Sequence, residues 1–163
     1  MTFLGKLFGF QGRIRRRDWW LFTILIGVVQ SAVMQFYLVK LMEKPFPGDA
    51  GTWEPPYRQP FFVITYLAFA WPTAAIAVQR FHDRGRNGWP VFAFYAASLV
   101  VSLGSWWPLA GETGLGPAVI LFLLIPVSLW FLIMLGFADG TQGPNRFGPS
   151  PKGIGATPRV EFG

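Results

Sequence analysis

The sequence predicts an all-α integral membrane protein with four transmembrane helices and both termini in the cytoplasm, and three observations support this prediction. The composition is 52% hydrophobic and only 13% charged, whereas roughly a quarter of the residues in a soluble domain are charged. The charged residues are clustered, so that four long windows carry no charge at all. Basic residues are concentrated on one side of the predicted helices.

Each of the four uncharged windows is long enough to cross a bilayer. The windows contain 21, 21, 25 and 26 residues, at positions 19–39, 59–79, 87–111 and 113–138. A hydrocarbon core of about 30 Å requires roughly 20 helical residues at about 1.5 Å each. We therefore predict helices at about 18–41, 61–79, 89–110 and 117–138. Residues 1–151 then form a single four-helix membrane domain, and residues 152–163, which contain several glycines, form a disordered tail.

Interfacial residues mark the first predicted helix and the loop that follows it. Trp19 and Trp20 occupy the position of an aromatic belt, and Tyr37 and Lys40 mark the opposite interface. Residues 40–60 contain five prolines, so we predict a loop there.

The remaining helices carry comparable signals. Pro72 and Pro126 lie in the middle of the second and fourth helices, which they are expected to bend. Trp106 and Trp107 stand near the far end of the third helix, and the glycine-rich residues 111–116 are predicted to form a short turn.

The distribution of basic residues predicts the orientation. Eleven of the fourteen lysines and arginines fall on the side that holds both termini and the loop between the second and third helices. Short loops rich in Lys and Arg remain in the cytoplasm, so we predict a multi-pass protein with both termini inside. The same rule accounts for the net charge of +6, and we expect no nucleic-acid partner.

Three motifs are expected to meet on the cytoplasmic side. Residues 77–90, AVQRFHDRGRNGWP, contain the only histidine, His82, beside Asp83. Residues 9–20 are rich in arginine, and residues 140–151 consist largely of turn-forming residues, which indicates a specifically shaped loop. We call the surface formed by these three motifs the cap.

A face rich in arginine is expected where the first helix enters the cap. If the helix continues inward to Gly12, then Arg13, Arg16, Arg17 and Trp20 fall at i, i+3, i+4 and i+7, on a single face. This face would hold three guanidinium groups at the depth of the lipid headgroups.

The acidic residues of the cap are expected to have structural partners. Asp139 follows the fourth helix at its C-terminal end, where the helix dipole disfavours a carboxylate. We therefore predict a salt bridge from Asp139 to an arginine of the first or second motif. Asp83 is expected either to hold an arginine or to orient the ring of His82. Asp18 lies at the N-terminal end of the first helix, where the dipole favours an anion.

The three motifs resemble those of the domain of unknown function 805 family, small bacterial inner-membrane proteins of the YhaH and YhaI type. The resemblance is carried, in the family's order, by FQGRIRRRDWW at 10–20, QRFHDRGRNGW at 79–89 and GTQGPNRFGPSP at 140–151. One position departs from the family's usual pattern, because Gln79 stands where many members have a basic residue. The resemblance implies a bacterial inner-membrane location, and the family has no settled activity to transfer.

Two active roles can be weighed against the residues. His82, Asp83 and nearby arginines could form a catalytic group, but no nucleophile, second carboxylate or metal-ligand cluster accompanies them. We therefore predict no enzyme, no metal and no cofactor. A transporter usually carries ionisable residues inside the membrane, and none of the four windows contains one. A small channel or transporter component that acts as an oligomer stays as the alternative.

A binding or structural role fits the sequence best. Arginine forks match phosphate groups, so a cationic cap suits anionic lipid headgroups, a protein partner or a second copy of the chain. A purely structural role, in which the arginines only set topology and the motifs only hold loops together, stays open. The candidate binding residues are Arg13, Arg16, Arg80, His82, Arg84 and Arg146, with Asp18, Asp83 and Asp139 as structural partners. Titration of His82 is expected to make the contact dependent on pH.

Overall fold

The computed structural model of the protein describes residues 3–42, 60–104 and 115–155. Helices are the regular elements within these ranges, which confirms the all-α class for the described part of the chain. The helices are α1 (Phe3–Phe8), α2 (Arg16–Met42), α3 (Pro60–Asp83), α4 (Trp89–Gly104) and α5 (Leu115–Leu132), and α5 continues into a π-helical turn, Ile133–Phe137.

Parts of several predicted elements lie outside the described residues. These parts are most of the proline-rich loop (43–59), the end of the third helix with most of the glycine-rich turn (105–114), and the end of the tail (156–163).

Helix α2 is the one helix in the described part of the chain that is long and apolar enough, by length and composition, to cross a membrane. Its 27 residues reach about 40 Å at about 1.5 Å per residue. The four-span topology and the orientation of the termini stay predictions from the uncharged windows and the basic loops.

Helices α2 and α3 pack antiparallel. The ring of Tyr37, near the end of α2, stacks on Phe61 at the start of α3 with centroids 4.3 Å apart. At the other end of the pair, buried apolar residues of α2, α3, α4 and the π-helical turn form one cluster, which includes Trp19, Phe22, Ile76, Phe81, Val91 and Leu135. The apolar core of the described residues therefore lies next to the cap.

Helix α3 extends beyond the expected end at residue 79 and includes His82 and Asp83 in its last turn. It ends where Gly85 adopts a φ of +68°. The backbone N–H of Gly85 donates to His82 O at 2.9 Å, and that of Arg86 donates to Phe81 O at 3.0 Å. These two bonds form a Schellman motif, which satisfies carbonyls at the helix end and requires a residue that tolerates positive φ.

Helix α1 is held against α3 by the side-chain amide of Gln79 and the indole of Trp71. The fully buried Gln79 donates from Nε2 to Lys6 O at 2.9 Å and also to the carbonyl of Gly9. The Trp71 indole donates to Phe8 O at 3.2 Å. The last carbonyls of a helix have no partner within it. Gln79, which belongs to α3, therefore satisfies carbonyls at the C-terminal end of α1.

The expected helical face from Arg13 to Trp20 is wrong. Helix α2 begins at Arg16, and Arg13 lies in the preceding loop with only 6% of its surface exposed. Gly12 turns the chain with a φ of +85°, a value that is easy for glycine and incompatible with continuation of the helix. Arg13 is therefore directed into the protein and separated from Arg16 and Arg17.

Candidate functional site

A buried carboxylate stands at the centre of the cap. Asp83 is 3% exposed, and Arg13 and Arg80 are buried on either side of it. Arg13 Nη2 lies 3.0 Å from Asp83 Oδ1, and Arg80 Nη1 contacts Oδ2. Both oxygens of Asp83 are thus occupied by arginines, so Asp83 holds arginines rather than orienting His82. Burial lowers the pKa of Arg80, and the negative charge of Asp83 opposes that shift.

Arg13 also organises the third motif. Its guanidinium donates to Gly143 O at 2.8 Å, to Thr141 O at 2.8 Å and to Gly148 O at 3.2 Å. The backbone N–H of Thr141 in turn donates to the carbonyl of Asp83 at 2.8 Å. Two arginines around one carboxylate leave one excess positive charge in the interior, and these carbonyl dipoles compensate it.

The loop lies so close to this centre that Gly140 has no room for a side chain. A Cβ added at Gly140 would lie 1.9 Å from Asp83 Oδ2, far inside van der Waals contact. The loop is further shaped by Asn145, whose Nδ2 donates to His82 O at 2.9 Å and whose Oδ1 accepts from the N–H of Phe147 at 2.9 Å.

Donors from other segments satisfy the carbonyls at the end of the π-helical turn. Arg84 donates to Met134 O at 3.0 Å, Arg80 to Leu135 O at 2.9 Å and to Ala138 O, Trp20 to Gly136 O at 3.0 Å, and Arg16 to Phe137 O at 2.9 Å. The C-terminal end of a helix carries partial negative charge and unpaired carbonyls. Three arginines and an indole from other segments therefore satisfy the carbonyls at the C-terminal end of this turn.

His82 packs against the third motif. Its ring stacks on Phe147 with centroids 3.9 Å apart and an interplanar angle of 7°, and its Nδ1 lies 3.2 Å from Gly12 O. The Arg146 guanidinium lies 4.7 Å from the centre of the Phe147 ring and donates to Asn87 Oδ1 at 2.9 Å. Burial lowers the pKa of His82, the bond to Gly12 opposes the shift, and the charge of Arg146 adds to it.

The candidate residues thus divide into two groups. The guanidinium groups of Arg13 and Arg80 are buried and engaged inside the cap, and those of Arg84 and Arg146 also donate to neighbouring segments. Arg16 lies at the surface, where it pairs with Asp139 at 3.5 Å.

Asp18 pairs with Lys6 of α1 at 3.1 Å. In the described part of the chain, no three His, Asp or Glu side chains converge as metal ligands.

The structure also adds residues that the sequence interpretation missed. A cleft of about 710 Å³ opens between α1, the start of α2 and the third motif. Its cations include Lys6, Arg15 and Arg17; Arg15 was not singled out from the sequence, and Arg17 was named only as part of the expected helical face. The run RIRRR contains both arginines, but it does not reveal which of its side chains point inward. Thr141 and Asn145 were likewise hidden within a pattern that indicated only turns.

Comparisons with known proteins identify relatives over nearly the whole chain. A family model described as "Protein of unknown function (DUF805)" matches residues 7–149. "Uncharacterized protein YiiR" of Escherichia coli strain K12 is 33% identical over 156 residues, which cover 94% of this chain and 93% of the relative. From the same strain, "Inner membrane protein YhaI" is 24% identical over 93% of both chains, and "Inner membrane protein YhaH" is 28% identical over 88% of both. No solved structure matches the chain.

Replacement of Asp83 tests whether the buried ion cluster holds the cap together. We expect Asp83→Asn to lower the free energy of unfolding by about 3–5 kcal/mol, because it leaves two buried arginines without their counter-ion. Unfolding of the purified protein in detergent, followed by circular dichroism, measures the change. Asp139→Asn is the control, since its pair with Arg16 is exposed and such pairs contribute about 0–1 kcal/mol. Equal effects of the two substitutions would contradict a central role for Asp83.

His82 is expected to make the stability of the cap dependent on pH. In the unfolded chain the pKa of a histidine is about 6.5, whereas burial lowers the pKa of His82 in the folded protein. The unfolded state therefore binds the proton more readily, so stability is full above about pH 6.5 and is lost as the pH falls towards the folded-state value.

His82→Phe keeps an aromatic ring against Phe147 and removes the titration, and His82 is the only histidine in the chain. We expect the melting temperature of the wild type to fall between about pH 7.5 and 5.5 and that of His82→Phe to change much less. Parallel curves for the two proteins would show that His82 does not carry the effect.

Proposed function

Because the chain belongs to the DUF805 family of proteins of unknown function, we propose that it is a multi-pass protein of the bacterial inner membrane whose cationic cap faces the cytoplasm and binds anionic phospholipid headgroups. Two of its relatives are named inner membrane proteins, which supports the location. Large apolar side chains are exposed along the helices, among them Val28, Phe36, Ile64, Leu67 and Leu129. Exposure on this scale is costly in water and normal in contact with lipid.

One observation carries the binding proposal, namely the group of outward-facing cations where α2 begins. Arg15 and Arg17 are exposed, and the side chain of Arg17 is 79% exposed with its nearest carboxylate oxygen, from Asp18, at 3.9 Å. Since α2 is the membrane-capable helix, its first residues fall at headgroup depth. The N-terminal end of the helix dipole adds positive potential at the same place.

The structure changes which residues we include in the binding surface. Arg13 and Arg80 donate their hydrogen bonds to Asp83 and to backbone carbonyls. We therefore assign them a structural role, which is to hold the three motifs of the cap together. Arg16 and Arg146 remain at its rim, and Arg15 and Arg17 join them. Because both carboxylate oxygens of Asp83 contact arginines, Asp83 does not orient His82, which supports a non-enzymatic role.

The predicted topology can be tested with introduced cysteines, because the chain contains none. We expect Ser150→Cys in the cap to be shielded from a membrane-impermeant maleimide in intact spheroplasts and labelled after permeabilisation. Thr113→Cys, between the third and fourth predicted spans, is expected to react in intact spheroplasts. Labelling of Ser150→Cys from outside would overturn the cytoplasmic assignment.

Lipid binding can be tested by native mass spectrometry of the protein gently extracted from its own membranes. We expect the wild type to retain anionic phospholipid, and Arg15→Gln/Arg17→Gln to retain several-fold less, because each arginine removed takes away a charge-assisted contact. Lys40→Gln, at the opposite end of α2, is the control and should retain as much as the wild type. A protein that co-purifies in fixed ratio, without bound lipid, would instead indicate that the cap docks a protein partner.

A further inference from the structure

We infer that the cleft between α1, the start of α2 and the third motif is a specific site for a phosphomonoester group. This inference rests on the proposed function and narrows it from a charged surface to one site and one class of ligand. The cleft has a volume of about 710 Å³, which lies in the range of small-molecule sites. The residues of its walls that bear on the ligand are Lys6, Gln11, Arg15, Arg17, Phe147 and Ser150.

The charges in the cleft decide which anion it fits. Arg13 shares the carboxylate of Asp83 with Arg80, and Lys6 pairs with Asp18 at 3.1 Å. Arg17 lies 3.9 Å from the same Asp18, and Arg15 has no ion pair within the described residues, so one carboxylate serves Lys6 and Arg17 together and the cations lining the cleft outnumber the carboxylates by at least two. A phosphomonoester carries about 1.5 to 2 negative charges at pH 7, whereas a phosphodiester carries about one. This excess of positive charge therefore matches a monoester.

The hydrogen-bond donors suit the same ligand. Arg15 donates from Nε to the carbonyl of Pro151, which fixes the side chain beside the third motif. Within the described ranges its two terminal nitrogens have no hydrogen-bond partner, so both can contact a ligand. Arg17 contributes a second guanidinium, and Gln11 and Ser150 add neutral donors to the wall. A terminal phosphate presents three oxygens that accept such bonds, and the planar arginine fork binds two of them at once.

Hydrogen bonds and ring stacking within the cap hold part of the cleft wall in place. Arg13 bonds to the carbonyls of Gly143 and Gly148, and Phe147, which lines the cleft, stacks on His82. The distance between the arginines and the third motif is thereby set by the buried cluster. A donor that is held in place before binding, as Arg15 is by Pro151, lowers the entropic cost of binding, and this separates a specific site from a diffuse charged surface.

The ligand's phosphate could belong to a lipid headgroup such as that of phosphatidic acid, or to a soluble phosphate ester. Titration calorimetry of the full-length protein in non-ionic detergent distinguishes them with three probes: dioctanoyl phosphatidic acid, dioctanoyl phosphatidylglycerol and glycerol 3-phosphate. We expect phosphatidic acid to bind about tenfold more tightly than phosphatidylglycerol, as one additional charge-assisted contact implies.

Arg17→Gln is the test variant and Arg86→Gln is its matched control. Both arginines are exposed cations of the cap, but Arg86 lines a different cleft, with Trp89 and Trp130. We expect Arg17→Gln to weaken monoester binding about tenfold and Arg86→Gln to leave it within about twofold. An unchanged melting temperature establishes that Arg17→Gln is folded.

The outcomes separate this inference from the proposed function. Tighter binding of phosphatidic acid than of glycerol 3-phosphate supports a headgroup ligand, and equal binding supports a soluble phosphate ester. Equal affinities for the two lipids, weakened equally by both variants, would overturn the specific site and leave a general anionic surface. Absence of binding by all three probes would overturn both the site and the lipid-binding function.

Discussion

The cap depends on one carboxylate, that of Asp83, and on its burial between Arg13 and Arg80. These three residues come from two of the three motifs, and the guanidinium group of Arg13 also donates hydrogen bonds to the third. A buried ion cluster of this kind is costly to form in a low dielectric and stable only when every polar group has a partner. The cluster meets that requirement with carbonyls from Gly143, Thr141 and Leu135. The buried cluster thereby links all three motifs to one another.

The arginines of the cap perform two physically different tasks. The inner set consists of Arg13 and Arg80, which pair with Asp83, and of Arg84. Together they donate to backbone carbonyls of the third motif and of the π-helical turn. A helix that ends near a membrane surface has unpaired carbonyls in a region with little water, and guanidinium groups satisfy several of them at once. The outer set, which includes Arg15 and Arg17, has few such bonds within the described residues. A count of positive charges does not distinguish these sets.

Much of the fold followed from local patterns in the sequence. Long uncharged windows placed the helices within a few residues, because the exclusion of charge from apolar surroundings is a strong constraint on any segment. The end of α3 was misplaced because basic residues suggested an exit from the membrane, whereas the chain remains helical until Gly85 adopts a positive φ. The expected arginine face was wrong for a different reason, since helical spacing was extrapolated across Gly12, which has a φ of +85°.

The interior of the site was harder to foresee, because its contacts join residues far apart in the chain. The bond from Arg13 to Gly148 spans 135 positions, and no local pattern encodes such a pairing. The unfavourable position of Asp139 at a helix end did indicate that a cation should stand near it, and Arg16 lies 3.5 Å away. Gln79 drew attention only as a departure from a family pattern, and it proves to bind the end of α1.

Burial of the inner arginines bears directly on where a ligand can bind. A charged group whose hydrogen bonds are already made inside the protein gains little from an external phosphate, because binding would have to break bonds of similar strength. Arg15 has one hydrogen bond to Pro151 and Arg17 one loose contact with Asp18, so an anion displaces mostly water from their remaining donors. The inner set therefore fixes the geometry, and the outer set is free to contribute affinity. This division explains why a cap so rich in arginine offers only a few guanidinium groups, Arg15 and Arg17 among them, to an external anion.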